Sequence, residues 1–259
     1  MRRERTRSTA STAMTGVFTV DVVIPALDEV SSIEKVLDAL PKPLVRRVIV
    51  ADNGSSDGTG AVAESAGAIV VRESRRGYGS ACMAGLDRLV GDAPEVVVFL
   101  DADFSDDPRE LGALLAPIIR GDADLVIGSR VDGSRERGAL PIQARFGNLL
   151  ACFLIEKIYG FRYTDLGPFR AIRWDALRSL AMEDSSYGWT VEMQVKALLH
   201  RLRVVEVPVS YRRRIGRSKI TGTLVGSLSA GLKILWTVFR YSRRAMRDPH
   251  DGWPISGRT

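Results

Sequence analysis

From Val17 to Arg130 the apolar positions follow two alternating rhythms. Short Val/Ile/Leu runs, "VFTVDVVIP", "VRRVIVAD", "GAIVV", "EVVVFLD" and "DADLVIGSR", predict strands. Between them "SSIEKVLDAL", "TGAVAESA", "SACMAGLDRLV" and "PRELGALLAPIIR" carry apolar residues at helical spacing. The first helix has Ile33, Val36, Leu37 and Leu40 on one stripe, with Ser31 and Glu34 spaced as a capping box. Strands that are apolar throughout and separated by helices predict a buried, mostly parallel sheet with right-handed crossovers. The fold class is therefore α/β, a single Rossmann-like sheet flanked by helices.

After Arg130 the rhythm weakens. "DGSRERGAL" reads as a polar loop, and "RFGNLLACFLIEKIYG" and "SYGWTVEMQVKALLH" as helices. "GPFRAIR" and "RVVEVPVSYRRR" read as strands. This half is expected to cover the site rather than to form a separate domain. The segment "TLVGSLSAGLKILWTVFRYSRR" has a membrane-like look, but Lys233 interrupts it. A span needs about 20 predominantly apolar residues. A central Lys costs roughly 2.5–3.5 kcal/mol on the insertion scale. Leu224, Leu228, Leu232, Leu235 and Phe239 recur at helical spacing, which predicts an amphipathic membrane-surface helix over 222–247. The same periodicity also suits a helix packed on the domain.

The 259 residues are 45% apolar, the composition of a soluble globular chain. Cys82 and Cys152 stand alone, so neither a disulfide framework nor a zinc site is expected, and a reducing cytoplasm fits. Charge is uneven. Residues 201–259 hold 13 Lys/Arg and 3 Asp/Glu, whereas residues 1–200 hold 24 and 28. The basic end suits phosphorylated substrates or the inner face of a membrane. It matches no nucleic-acid motif, and paired carboxylates oppose a phosphate backbone, so nucleic acid is not an expected partner. Residues 1–16, basic and rich in Ser and Thr, read as a disordered tail without the apolar core of a signal peptide. Residues 248–259 read as a flexible tail.

In an open α/β sheet, ligands bind beyond the carboxyl ends of the strands. "PALDE" (25–29), "ADNGSSDGT" (51–59), "RRGYGSA" (75–81) and "DADFSDD" (101–107) all fall at that edge. There is no GxGxxG after the first strand and no GxxxxGK[ST]. His200 and His250 fit no metal spacing. Asp101 and Asp103, two apart at a strand end, suit a hard divalent cation, Mg²⁺ or Mn²⁺, that keeps positions open for phosphate oxygens. Asp106 and Asp107 suit capping of a helix that starts at Pro108.

These motifs, with "LVIGSR", "DLGPFRAIR" and "RIGRSK", resemble family 2 glycosyltransferases of the GT-A fold, in particular the dolichyl- or polyprenyl-phosphate sugar synthases. The resemblance covers residues 17–221 and implies transfer from a nucleotide-sugar donor to a polyprenyl phosphate lipid, with peripheral membrane contact. It implies that Pro25, Leu27, Glu29, Val50, Asp52, Asp101 and Ala102 border the donor, and that Arg213 and Lys219 close over phosphates. It implies metal binding by Asp101 and Asp103, a catalytic role for Asp103 and Arg130, and acceptor-phosphate binding by Arg145 and Arg217. Asp28 departs from the Asn frequent in the family, and Ser105 from a Gln that helps bind metal in close relatives. A lipid phosphate is already anionic and needs cations more than a base. Its in-line attack on the anomeric carbon would invert configuration. A soluble alcohol acceptor, the alternative, would need a base, for which Glu192 and Asp165 are the candidates. The sugar, the nucleotide and the oligomeric state stay open.

Overall fold

The computed structural model describes residues 18–216 and 224–247. The expected tails, and Arg217 and Lys219, lie outside the described residues. Seven strands form one sheet: β1 (Val20–Ala26), β2 (Arg47–Asp52), β3 (Ile69–Arg72), β4 (Val96–Phe99), β5 (Leu125–Ser129), β6 (Arg170–Arg173) and β7 (Val204–Pro208). The helices are α1 (Ile33–Ala39), α2 (Thr59–Ser65), α3 (Tyr78–Asp87), α4 (Leu111–Ile119), α5 (Ile142–Tyr159), α6 (Trp174–Leu180), α7 (Trp189–Leu199) and α8 (Leu224–Arg247). Every strand and helix expected before Arg130 forms, with ends shifted by a few residues.

The strand runs are apolar throughout because successive side chains enter opposite core layers. Val22, Ile24, Val50 and Val98 pack against α1, α2 and α4. Val23, Ile49, Val97 and Phe99 pack against α3, α5 and α7. Strand order is β3-β2-β1-β4-β6-β5-β7. All pairings are parallel except those of β6, which runs antiparallel between β4 and β5. The second half of the chain thus completes the same sheet. From β1 the chain builds outward to β2 and β3, then returns to place β4 on the other side of β1. That reversal opens a crevice beyond the carboxyl ends of β1 and β4, where a ligand site is expected.

One expectation needs correction. The Ser31–Glu34 capping box does not form: Ser31 is exposed and α1 starts after Ser32, whose hydroxyl donates to the Glu29 carbonyl and carboxylate. Glu29 thus takes the local donor at the helix start. The last helix, α8, packs one face on the domain. Val238 and Tyr241 are buried, and the hydroxyl of Tyr159 on α5 donates to the Val238 carbonyl at 2.6 Å. The domain-packed reading therefore holds for one face, while Leu232, Trp236 and Phe239 stay exposed. No helix among the described residues is long and apolar enough to cross a membrane.

Helix α4 offers a test of which face carries the core. Leu114 is fully buried and Ile119 is half exposed. Leu114→Ala is expected to destabilise the fold by about 3 kcal/mol. Ile119→Ala should change stability by less than about 0.5 kcal/mol. Urea denaturation of both variants measures the difference.

Candidate active site

Strand β1 delivers Pro25 and Ala26 to the crevice, and β4 delivers Asp101 just past its end. Both strands then turn sharply. Asp28 (φ 50°) and Phe104 (φ 60°) adopt the left-handed region, which is uncommon for residues with a side chain. Asp and Asn tolerate it best, so an Asp suits position 28 as an Asn would. The Asp28 carboxylate also accepts the Ser56 amide at 2.8 Å, tying the first strand end to the second. Between these turns lies a cavity of about 290 Å³, lined on one side by Pro25, Leu27 and Glu29 and on the other by Asp101, Ala102 and Asp103. Asn53, Arg76, Gly77, Tyr78, Tyr187 and Arg214 complete its wall.

Charge is compensated unequally here. Asp103 takes the Ser105 amide at 2.9 Å and an ion pair from Arg214 at 3.3 Å. The same guanidinium donates to Glu29 at 2.7 Å, so Arg214 joins the ends of β1 and β4. Asp101 receives the Tyr78 hydroxyl at 3.1 Å. Burial, and then the neighbouring Asp103, push its carboxyl up to about 7. Two hard carboxylates that repel each other beside an open cavity fit a divalent cation, and Mg²⁺ or Mn²⁺ would fill its other positions from waters and donor phosphates. Among the described residues no third His, Cys, Asp or Glu completes a metal-binding group. Ser105 does not: it is fully buried.

Several expected site residues lie elsewhere. Val50 is fully buried in the core. Asp52 accepts the Ser55 amide and lines a separate surface depression, while the next residue, Asn53, reaches the cavity wall. Asn53 accepts the Gly77 amide and donates to the Glu73 and Arg75 carbonyls, so it shapes the glycine turn. Arg130 does not line the cavity. Its guanidinium forks onto Asp165, with two bonds of 2.7 Å, and stacks 5.0 Å from the Tyr211 ring. Asp165 is thereby occupied, and so is Glu192, which is fully buried rather than solvated and pairs with Lys196 at 2.8 Å. Neither is disposed as a free base. Arg145 is exposed in the first turns of α5. Arg213 is exposed and donates to the Arg137 carbonyl, away from the cavity.

Asp107 caps the turn at Pro108 by accepting the Arg109 amide, as expected. Asp106 does not cap. Both its oxygens are buried without a hydrogen-bond partner among the described residues. Burial, with Asp101 nearby, raises its carboxyl well above the ordinary range.

The residue that sequence reasoning missed is Arg214. It stands in a run of three arginines in which side chains alternate: Arg212 stacks on Phe104, Arg213 turns outward and Arg214 enters the cavity. The alternation was readable, but its phase was not. Arg76 and Tyr78 belong to the glycine-rich loop already singled out. Tyr187 had no signal, because it arrives from a loop distant in sequence.

Residues 21–178 match the family model for glycosyl transferase family 2. The chain belongs to that family. An uncharacterized glycosyltransferase of Mycobacterium tuberculosis is 40% identical over 222 residues, 85% of this chain and 97% of that protein. The undecaprenyl-phosphate mannosyltransferase of Micrococcus luteus is 32% identical over 219 residues, 79% of this chain and 88% of that protein. Among solved structures, glucosyl-3-phosphoglycerate synthase of Mycobacterium tuberculosis, in complex with Mn²⁺, uridine-diphosphate-glucose and phosphoglyceric acid, superposes with a TM-score of 0.70. It is 25% identical and is matched over 87% of this chain and 80% of its own. The fold is GT-A, as the motifs implied, and this family 2 protein is a nucleotide-sugar-dependent glycosyltransferase.

The two neighbouring arginines separate the cavity from its surroundings. Arg214→Ala should weaken nucleoside diphosphate binding about tenfold or more, the effect of losing one or two charge-assisted contacts. Arg213→Ala should leave it nearly unchanged. Titration calorimetry on both variants checks this.

Proposed function

We propose that this family 2 enzyme transfers a sugar from a UDP- or GDP-sugar to a polyprenyl phosphate held at a membrane surface, with inversion of configuration. One observation carries the acceptor. Helix α5 exposes Ile142, Phe146, Leu149 and Phe153 along one stripe, beside the exposed Arg145. Ile142 is 81%, Phe146 67% and Leu149 68% exposed, too much contiguous apolar surface to leave in water. The neighbouring α8 adds Leu232, Trp236 and Phe239. Such faces suit the headgroup boundary of an anionic leaflet, with the basic end of the chain adding electrostatic attraction. The protein would then sit peripherally on the cytoplasmic face of the membrane.

The chemistry follows from the charges. An oxygen of the lipid phosphate attacks the anomeric carbon as the bond to the donor diphosphate breaks, and the electron pair leaves with the nucleoside diphosphate. The attacking oxygen is already anionic, which agrees with the engaged state of Asp165 and Glu192. Arg214 and Arg76 would hold the donor diphosphate, and Arg145 the acceptor phosphate. Arg217 and Lys219, just beyond Arg214 in sequence, would add to the phosphate clamp. Arg130, fixed by Asp165, supports ionisation of Asp101 through its charge. Asp101 and Asp103 would hold Mg²⁺ or Mn²⁺, and that cation would neutralise the charge developing on the leaving group.

A soluble phosphorylated acceptor is the competing reading, since the matched synthase was solved with phosphoglyceric acid. The deciding assay offers UDP- and GDP-sugars together with polyprenyl phosphate, phosphoglyceric acid or a plain alcohol, with products identified by mass spectrometry. A glycosylated lipid phosphate is expected, abolished by EDTA and restored by Mn²⁺ or Mg²⁺. Asp103→Asn should lower turnover about 100-fold, the scale of removing one group that stabilises transition-state charge. Phe146→Glu with Leu149→Glu should reduce flotation with anionic liposomes. Products formed only on soluble acceptors would overturn the lipid reading.

A further inference from the structure

The wall of the cavity that carries Tyr187 belongs to the loop between α6 and α7, residues 181–188. One side of this loop closes on the glycine turn that opens α3. The Ser80 amide donates to the Ser185 carbonyl at 3.0 Å. Gly77 (φ 141°) and Gly79 pass so close that a Cβ on either would overlap the Ser185 or Asp184 carbonyl. The turn and the loop are therefore one packed wall, and Gly77, Tyr78 and Tyr187 line the cavity from it.

The other side of the loop is gripped by α8. Lys233 pairs with the buried Asp184 carboxylate at 2.9 Å, and Arg240 pairs with Glu183 at 2.8 Å. The Tyr241 hydroxyl donates to Glu192 at 2.6 Å. That same carboxylate accepts the backbone amides of Glu183, at 2.9 Å, and Asp184, at 2.7 Å. Asp184 in turn accepts the amides of Ser186 and Gly188, so it sets the curvature of the loop just before and after Tyr187. At Gly188 the backbone passes against Thr237 of α8: a Cβ there would lie 2.7 Å from the Thr237 hydroxyl.

We infer that α8 positions the nucleotide cavity: through Asp184 and Glu183 it holds the 183–188 loop against the glycine turn, making Lys233 and Arg240 positioning residues for donor binding. Neither side chain lines the cavity. Both act on it through a loop whose hydrogen bonds run through Asp184, and removing the cationic partner of a buried carboxylate leaves an uncompensated charge that destabilises its surroundings. The inference rests on the reading of the cavity as the donor site, and it makes an element distant in sequence part of donor recognition.

The test uses the full chain with Lys233→Met, Arg240→Met and the double variant, titrated with UDP and GDP plus Mn²⁺ in the absence of lipid, so that membrane binding does not enter. In the double variant the dissociation constant of the bound nucleotide is expected to rise about tenfold, as for loss of a buried charged contact. Lys233→Arg should restore most of it, the donor KM should rise, and the acceptor KM should hold. Hydrogen exchange should accelerate at 183–188 and at Ser80. A purely structural role would lower the melting temperature without moving nucleotide affinity well below it. Should the double variant fail to fold, the partly exposed pair offers a swap: Arg240→Glu should weaken binding and added Glu183→Arg should recover it. Folded variants with wild-type nucleotide affinity and wild-type loop exchange overturn the inference. If the wild-type chain binds neither nucleotide, the donor reading fails instead, and the exchange measurement alone still decides whether α8 holds the loop.

Discussion

Asp101 and Asp103 leave the end of β4 two residues apart beside the cavity, and their mutual repulsion has to be met by the parts around them. Topology brings them there, because the reversal of strand order between β1 and β4 leaves no helix over that point. The backbone then turns through a left-handed Phe104, which returns the Ser105 amide to Asp103. Arg214 places its guanidinium on Asp103 and shares it with Glu29. Asp101 is left with a neutral hydroxyl, and burial and then Asp103 raise its carboxyl. The protein alone therefore compensates one carboxylate better than the other. A divalent cation held by the pair would answer the remaining imbalance.

The first half of the fold was legible because buried parallel strands are apolar on both faces, so their runs stand out between helices. The strand ends were legible as a site for the same reason: acidic and glycine-rich turns interrupt those runs at one edge of the sheet. What could not be read was phase. Asp52 and Asn53 are adjacent at the end of β2, and only one faces the cavity. Which one depends on where the strand stops alternating. Arg212, Arg213 and Arg214 pose the same problem in an extended segment, where the inward position is set by Arg212 stacking on Phe104. A pattern of residue types determines that an arginine enters, while packing partners from elsewhere determine its number.

Burial brought by distant elements was the second blind spot. Glu192 on α7 follows no polar periodicity that would mark it as interior. It is buried because α8 lies across α7, and because Tyr241, Lys196 and two backbone amides satisfy its carboxylate together. Strand β6 is similar. It reads as a strand in the sequence, but nothing there shows that it is inserted antiparallel between β4 and β5, or that Arg170 at its start is buried and bonds the Gly167 and Thr190 carbonyls. A guanidinium in that position braces the turn after Asp165 without lining the cavity.

These long-range dependencies explain why the second half of the chain is neither a separate domain nor a simple cover. Strands β6 and β7 extend the sheet that holds Asp101, and the segment after β7 returns Arg214 to the far side of the cavity. The α6–α7 loop supplies Tyr187. The cavity is thus assembled from residues as far apart in sequence as Pro25 and Arg214. A shift in the loop, in the segment after β7 or in the turn after β4 moves Tyr187, Arg214 or Asp103 in the cavity wall. Close packing at Gly77 and Gly79 limits such shifts, since neither glycine has room even for a methyl group. Rigidity of the wall and precision of the charges are therefore one property, set where the sheet's two halves meet.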